Sequence, residues 1–211
     1  YAMREREAIL NIFEKVCGAR LMYSYYDIGG VKWDIPPDAM EEIELFVKLF
    51  PKKLAEYDAL LTQNKIFIER TADVGVIDEE MALAYGCTGP VLRATGRKWD
   101  LRKDEPWSIY DRFDFEVPVG TGEKGTLGDA WDRYYVRMEE MAQSTRIIQQ
   151  ALEQMPREGE VMADMPRKLK IPPGELFVRT ECPKGEMGFW VVSDGGAEPF
   201  RVKTRSPALH N

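Results

Sequence analysis

Between residues 131 and 155 the side chains Trp131, Tyr134, Met138, Met141, Thr145, Ile148, Leu152 and Met155 recur at intervals of three and four. Seven of these eight are apolar, so the segment predicts a long helix with a narrow buried stripe. Thr126 followed by Asp129 reads as a helix-start box, with aspartate in place of the usual glutamate or glutamine, and Pro156 ends the helix. Beyond it the period changes from helical to alternating. ELFVRT, GFWVVS and FRVKTR are three short strands separated by the turn-rich CPKGEM and DGGAEP. The fold expected is mainly α with a small antiparallel β-meander at the C-terminal end, an α+β arrangement.

Upstream, Arg4 to Val16 carries Ile9, Ile12, Phe13 and Val16 on one helical face, and Gly18 closes it. Pro36-Pro37-Asp38 opens a second helix, in which Ile43, Phe46, Val47, Phe50, Leu54, Tyr57 and Leu61 keep a three-four spacing. Pro51 lies inside it and predicts a kink or a division. Residues 64 to 126 read as irregular apart from a short helix over Asp78 to Tyr85, stopped by Gly86. Phe113, Phe115 and Val117 alternate as in a strand. The organisation expected is a helical body at 1–156, a charged, proline-bearing connection at 157–173 and the meander at 174–211, within one structural domain.

A chain of 211 residues is long enough to bury a core. Its formal net charge of −7 disfavours a long nucleic-acid track. No apolar run is long enough to span a membrane, and the first residues lack the pattern of a signal peptide. Cys17, Cys87 and Cys182 are scattered and odd in number, which suggests reduced thiols in a cytosolic setting. No pair of them has metal-ligand spacing.

Little here supports catalysis by the chain itself. The one histidine, His210, is next to the last residue, so a nucleophile–histidine arrangement has nothing to build on. GTGEKGTLG, residues 120–128, lacks the terminal Gly-Lys-Ser/Thr of a phosphate loop and reads as a glycine-rich turn ahead of a helix. Its N–H groups still offer a weak anion site. GPVLRATGRKWDLRKDEPW, residues 89–107, reads as a basic loop with Arg93, Arg97, Lys98, Arg102 and Lys103 among Asp100, Asp104 and Glu105. Internal pairing of arginine forks with carboxylates is the main reading, and a soluble anion-binding adaptor module is the alternative.

Several stretches taken together carry a family resemblance. YAMREREAILNIFEKVCGARLMYSYYDIGGVKWDIP, IFIERTADVGVI, TGPVLRATGRKWDLRKDEPW, YDRFDFEVPVG, DRYYVRMEEMAQSTRIIQQALEQMP and the tail from GELFVRTECPKGEMGFWVVSDGGAEPF onward follow in order. In order and spacing they resemble the D subunit of NADH-quinone oxidoreductase, the respiratory complex I family descended from the large subunit of nickel–iron hydrogenases. The resemblance covers nearly the whole chain. It implies a fragment of the nickel–iron hydrogenase large-subunit-like fold, in a peripheral-arm component on the cytoplasmic side of the cell membrane. It also implies a quinone chamber shared with the B subunit, which holds the last iron–sulfur cluster, with the C subunit and the membrane arm as further partners. Electrons from NADH would reduce a quinone there, coupled to ion translocation. This chain would bind no cofactor of its own, and the isolated segment would be inactive.

Two departures from the family pattern matter. The family's N-terminal β region, with the histidine loop and tyrosine that hold the quinone headgroup, has no counterpart in these residues, nor has its C-terminal stretch. Those are also the regions where hydrogenase relatives hold nickel and iron, so a membrane-bound nickel–iron hydrogenase large subunit stays as an alternative. Second, the family's Arg-x-Gly-Gly is here Asp27-Ile28-Gly29-Gly30, which puts a carboxylate where relatives have a cavity arginine. Carried over position by position, the resemblance places Leu21, Asp27, Val202 and Met3 at the quinone cavity, and Arg93, Arg97 and Arg102 in the family's own scaffold.

Overall fold

The computed structural model of the chain describes residues 2–156, 158–166 and 171–211. The parts of the expected connection at 157 and 167–170 lie outside the described residues. By their internal contacts the described residues divide into two compact units, one within 1–53 and 148–166 and one within 54–147 and 171–211.

In the first unit, helix α1 (Ala2–Cys17) buries Leu10 and Val16. Gly18 ends it in the left-handed conformation at φ +71°, its N–H donating to the Glu14 carbonyl. A two-stranded antiparallel hairpin follows, β1 (Tyr26–Asp27) with β2 (Gly30–Val31). Helix α2 (Pro37–Tyr57), of which residues 37–53 belong to this unit, runs through Pro51 without division. Proline removes one backbone donor and crowds the preceding turn, yet the irregularity falls seven residues later, in a π-helical turn at Asp58–Thr62. The expected stripe holds for Val47, Phe50 and Tyr57, which are buried, but Leu61 is exposed.

The second unit replaces the expected irregular middle with short helices. They are α3 (Lys65–Thr71), α4 (Glu79–Ala84), α5 (Gly89–Ala94) and α6 (Leu101–Asp104). Each of α3, α4 and α6 is started by a side chain that accepts backbone N–H groups: Asn64, Asp78 and Asp100. Residues 89–107 are therefore not a loop but contain two helices, and every residue of α5 is buried. Ala82, Cys87, Val91 and Leu92 form a core against which Ile77 and Trp99 pack. Phe113, Phe115 and Val117 are all buried, as their alternation predicts, but the segment pairs with no strand among the described residues. Side chains satisfy its backbone instead, with Lys103 Nζ donating to the Phe113 carbonyl at 3.1 Å and the Glu116 N–H donating to Gln143 Oε1 at 3.0 Å.

Helix α7 (Ala130–Gln154) has the predicted extent. Its burial is broader than the expected stripe. Trp131 and Thr145 are buried, but so are Asp132, Val136 and Ile147, while Ile148 is exposed. The helix is capped by Asp129, whose Oδ1 accepts the Asp132 N–H at 2.8 Å; the expected cap, Thr126, is held by Asp73 instead.

The tail folds as expected into a three-stranded antiparallel meander in the order β3 (Gly174–Cys182), β4 (Gly185–Ser193), β5 (Arg201–Arg205). Pro183-Lys184 alone turns the first hairpin, since Cys182 pairs with Gly185. That turn lies against the start of α5. A Cβ on Gly89 would sit 2.4 Å from the Gly185 Cα, and the Glu186 N–H donates to Thr88 Oγ1 at 3.0 Å. Glycine at both positions lets two backbones touch.

Candidate functional site

Glycine explains the first candidate region, the hairpin around Asp27. A Cβ on Gly30 would lie 2.2 Å from the Val161 carbonyl oxygen. The Val31 N–H donates to that oxygen at 2.9 Å, and the Ala163 N–H donates to the Gly29 carbonyl at 3.0 Å. Gly30 pairs with Met162 in an isolated antiparallel bridge. The connection thus lends a short extended piece to the hairpin, which fixes the turn that presents Asp27. The Asp27 side chain is exposed and accepts the Ile28 N–H at 2.8 Å. Leu21 is 62% exposed and Met3 73%. All three belong to the first unit, and none is spent on its core. Val202 belongs to the second unit, on β5, and is 51% exposed.

The second region is built on Arg93. Its guanidinium is buried, at 1% exposure, and is shared by three elements. Nε donates to Glu140 of α7 at 2.8 Å. Nη1 donates to the Trp99 carbonyl and to Glu181 of β3, both at 2.9 Å. Asp100 stands 3.7 Å away and is held in turn by Arg102, whose Nε and Nη2 both reach it, the latter at 2.6 Å. The Arg102 and Lys103 cations lie over the Phe115 ring, at 5.1 and 4.3 Å from its centroid. Arg97 is half-exposed and pairs with Glu79 at 2.9 Å. Sequence reasoning found the arginines but not Glu140 and Glu181, which lie 47 and 88 residues from Arg93. No local signal joins them.

The titration of these groups follows from burial and pairing. Burial works against an ionised Asp100, but the hydrogen bonds and charge of Arg102, with the charge of Arg93, outweigh it and hold the carboxyl below the ordinary aspartate value. Glu181 goes the other way, because burial raises its pKa by more than Arg93 lowers it. Beside it, burial pushes the Cys182 thiol up, which makes it a poor nucleophile. Arg93, Arg102, Arg137, Glu140, Glu181 and Cys182 are among the residues around a cleft of about 530 Å³. Arg93 pairs with Glu140 and Glu181, and Arg102 with Asp100. The arrangement ties α5, α6, α7 and β3 together.

The glycine-rich turn at 120–128 does hold an anion, and it is a side chain of the chain itself. The N–H groups of Gly122 and Gly128 each donate to Asp132 Oδ2 at 3.1 Å, and that of Thr121 to Oδ1 at 3.3 Å. Asp132 is fully buried. Among the described residues no group of three or more histidine, cysteine, aspartate or glutamate side chains is placed to bind a metal ion. Nor is any helix among them long and apolar enough to cross a membrane.

Comparison with known proteins agrees along the whole length. The family model described as respiratory-chain NADH dehydrogenase, 49 kDa subunit, matches residues 1–170 and 164–211. Proteins named as the D subunit of NADH-quinone oxidoreductase from Bacillus cereus and Bacillus thuringiensis subsp. konkukian are 50% identical over 211 residues. The one from Bacillus anthracis is 49% identical. Each alignment covers 100% of this chain and 56% of the relative, so the chain spans little more than half the length of these curated relatives.

Proposed function

Because the chain belongs to the family of the 49 kDa subunit of respiratory-chain NADH dehydrogenase, we propose that it forms part of the wall of a quinone-reduction chamber in a multisubunit NADH:quinone oxidoreductase. The observation that carries this reading is the family match over the whole chain. Exposed apolar side chains at the positions expected to line the chamber support it. Met3, Leu21 and Val202 are each more than half exposed and free of the chain's own core.

In this reading the chain carries no redox cofactor. The iron–sulfur cluster resides in the B subunit, electrons from NADH pass from it to the quinone, and reduction drives ion translocation through the membrane arm. The B and C subunits are the neighbours, and the site of action is the cytoplasmic face of the cell membrane. The fold is then a fragment of the nickel–iron hydrogenase large-subunit-like architecture. The three relatives are named for NADH-quinone chemistry, which favours quinone reduction over hydrogen chemistry. In this reading the 211 residues by themselves show no NADH:quinone turnover.

Asp27 gives the test. The Gly29-Gly30 turn presents an exposed carboxylate where the family pattern has an arginine. In the intact assembly, Asp27→Arg changes the apparent quinone affinity or the sensitivity to quinone-site inhibitors, measured by steady-state NADH:quinone turnover. If both quantities stay at parental values, Asp27 does not face the chamber.

A further inference from the structure

Strand β5 is an edge of the meander, and four of its five residues are exposed. Its sequence, RVKTR, places Arg201, Lys203 and Arg205 on one face and Val202 and Thr204 on the other. The cross-strand register aligns Phe177, Trp190 and Lys203 in one row, and Glu175, Val192 and Arg201 in another on the same face. The inner cations of this face are saturated. Arg205 donates to the Gly86 and Glu186 carbonyls, and Arg179 pairs with Glu105 and Glu186. The outer ones are not. Among the described residues neither Arg201 nor Lys203 pairs with a carboxylate, and Arg201 only lies over the Trp190 ring at 5.9 Å. Phe177, Trp190 and Lys203 border a shallow cleft of about 470 Å³.

Two residues apart on a strand, Arg201 and Lys203 stand roughly 7 Å apart on one face, the same spacing as alternate side chains of any strand laid beside them. An exposed strand edge also offers a row of backbone donors and acceptors that only another extended chain satisfies. We propose that β5 is a docking edge for an extended segment of a neighbouring polypeptide. Its alternate residues are acidic and face Arg201 and Lys203, on the side of β5 opposite Val202. Nucleic acid fits less well. Glu175 shares the face, the chain carries a net charge of −7, and two cations make too short a track for a phosphate backbone. The inference stands apart from the quinone reading, since it concerns the edge of the sheet and uses no redox chemistry.

The test uses the full 211-residue chain and a fluorescein-labelled peptide of about ten residues alternating glutamate and valine, matched to the two-residue period of a strand. Fluorescence anisotropy gives affinity, and hydrogen exchange followed by mass spectrometry reads the β5 amides. The peptide binds and protects those amides. The double variant Arg201→Glu with Lys203→Glu weakens binding by about tenfold or more, because it sets like charges opposite each other. A peptide of the same composition with its glutamates in one block binds more weakly than the alternating one. The proposal is overturned if charge reversal leaves the affinity unchanged, if the blocked peptide binds equally well, or if the β5 amides gain no protection. It is also overturned if a single-stranded oligonucleotide of matched charge binds as tightly. Both substituted side chains are exposed, so the fold survives the reversal, as the circular dichroism spectrum verifies.

Discussion

At the scale of single residues, the chain uses its own aspartates where a ligand would otherwise be sought. Asp132 fills the concavity of N–H groups at the 120–128 turn, while Asp129 caps α7 and also accepts the Asp73 N–H at 2.9 Å. Asp73 completes the set by accepting both the N–H and the hydroxyl of Thr126. Hydrogen bonds to a charged, buried acceptor are worth more than ordinary ones, and removing the acceptor strands its donors. Asp132→Ala therefore costs about 2–4 kcal/mol of stability, measured from urea midpoints. Asp132→Asn recovers part of that loss, since one amide oxygen still accepts. The presence of a turn was legible in the glycines. What occupies it was not, because one carboxylate at position 132 looks like any other in the first turn of a helix.

At the scale of elements, regular pieces followed their local patterns and irregular ones followed their neighbours. α7, α4 and the three strands of the meander declared themselves by period, cap and turn residues. α5 and α6 did not, since four to six residues are too few to show a helical period. Their burial and their partners come from β3, β4 and α7. The segment at 113–117 alternates correctly yet joins no ladder, because side chains of α6 and α7, Lys103 and Gln143, take up its backbone groups. The junction of α5 with the β3–β4 turn depends on Gly89, which has φ +63° and no room for a Cβ. Gly89→Ala combines a left-handed backbone with a contact to Gly185, and costs about 2–3 kcal/mol. Calorimetry measures the lowered Tm. A loss no larger than that of an exposed Gly→Ala would show that the two backbones do not meet.

At the scale of the whole chain, the Arg93 network couples acidity to folding. Asp100 has a folded pKa below its unfolded value of about 3.9, so its contribution is complete above that pH and is lost as pH falls through the folded value. Glu181 has a raised folded pKa, so its contribution opposes stability as pH rises past about 4.3. Asp100→Asn leaves Arg102 without its buried counter-charge and costs about 3 kcal/mol near neutrality. The gap between variant and parent narrows as pH is lowered below about 4, as denaturant melts across a pH series measure. A constant gap would mean that Asp100 does not titrate against Arg102. By itself the sequence determined the long helix, the terminal meander, the start of α4 and the family to which the chain belongs. These are properties of period, turn chemistry and motif order, which need only residues close together in the chain. Tertiary structure alone decided that the arginine segment is buried helix and that Glu140 and Glu181 answer Arg93. It also decided that Asp132 fills the glycine turn and that, among the described residues, Arg201 and Lys203 have no carboxylate partner at an open edge. The pairings of Arg93 join residues many tens of positions apart, and electrostatic satisfaction is settled by distance in space, which no local pattern records.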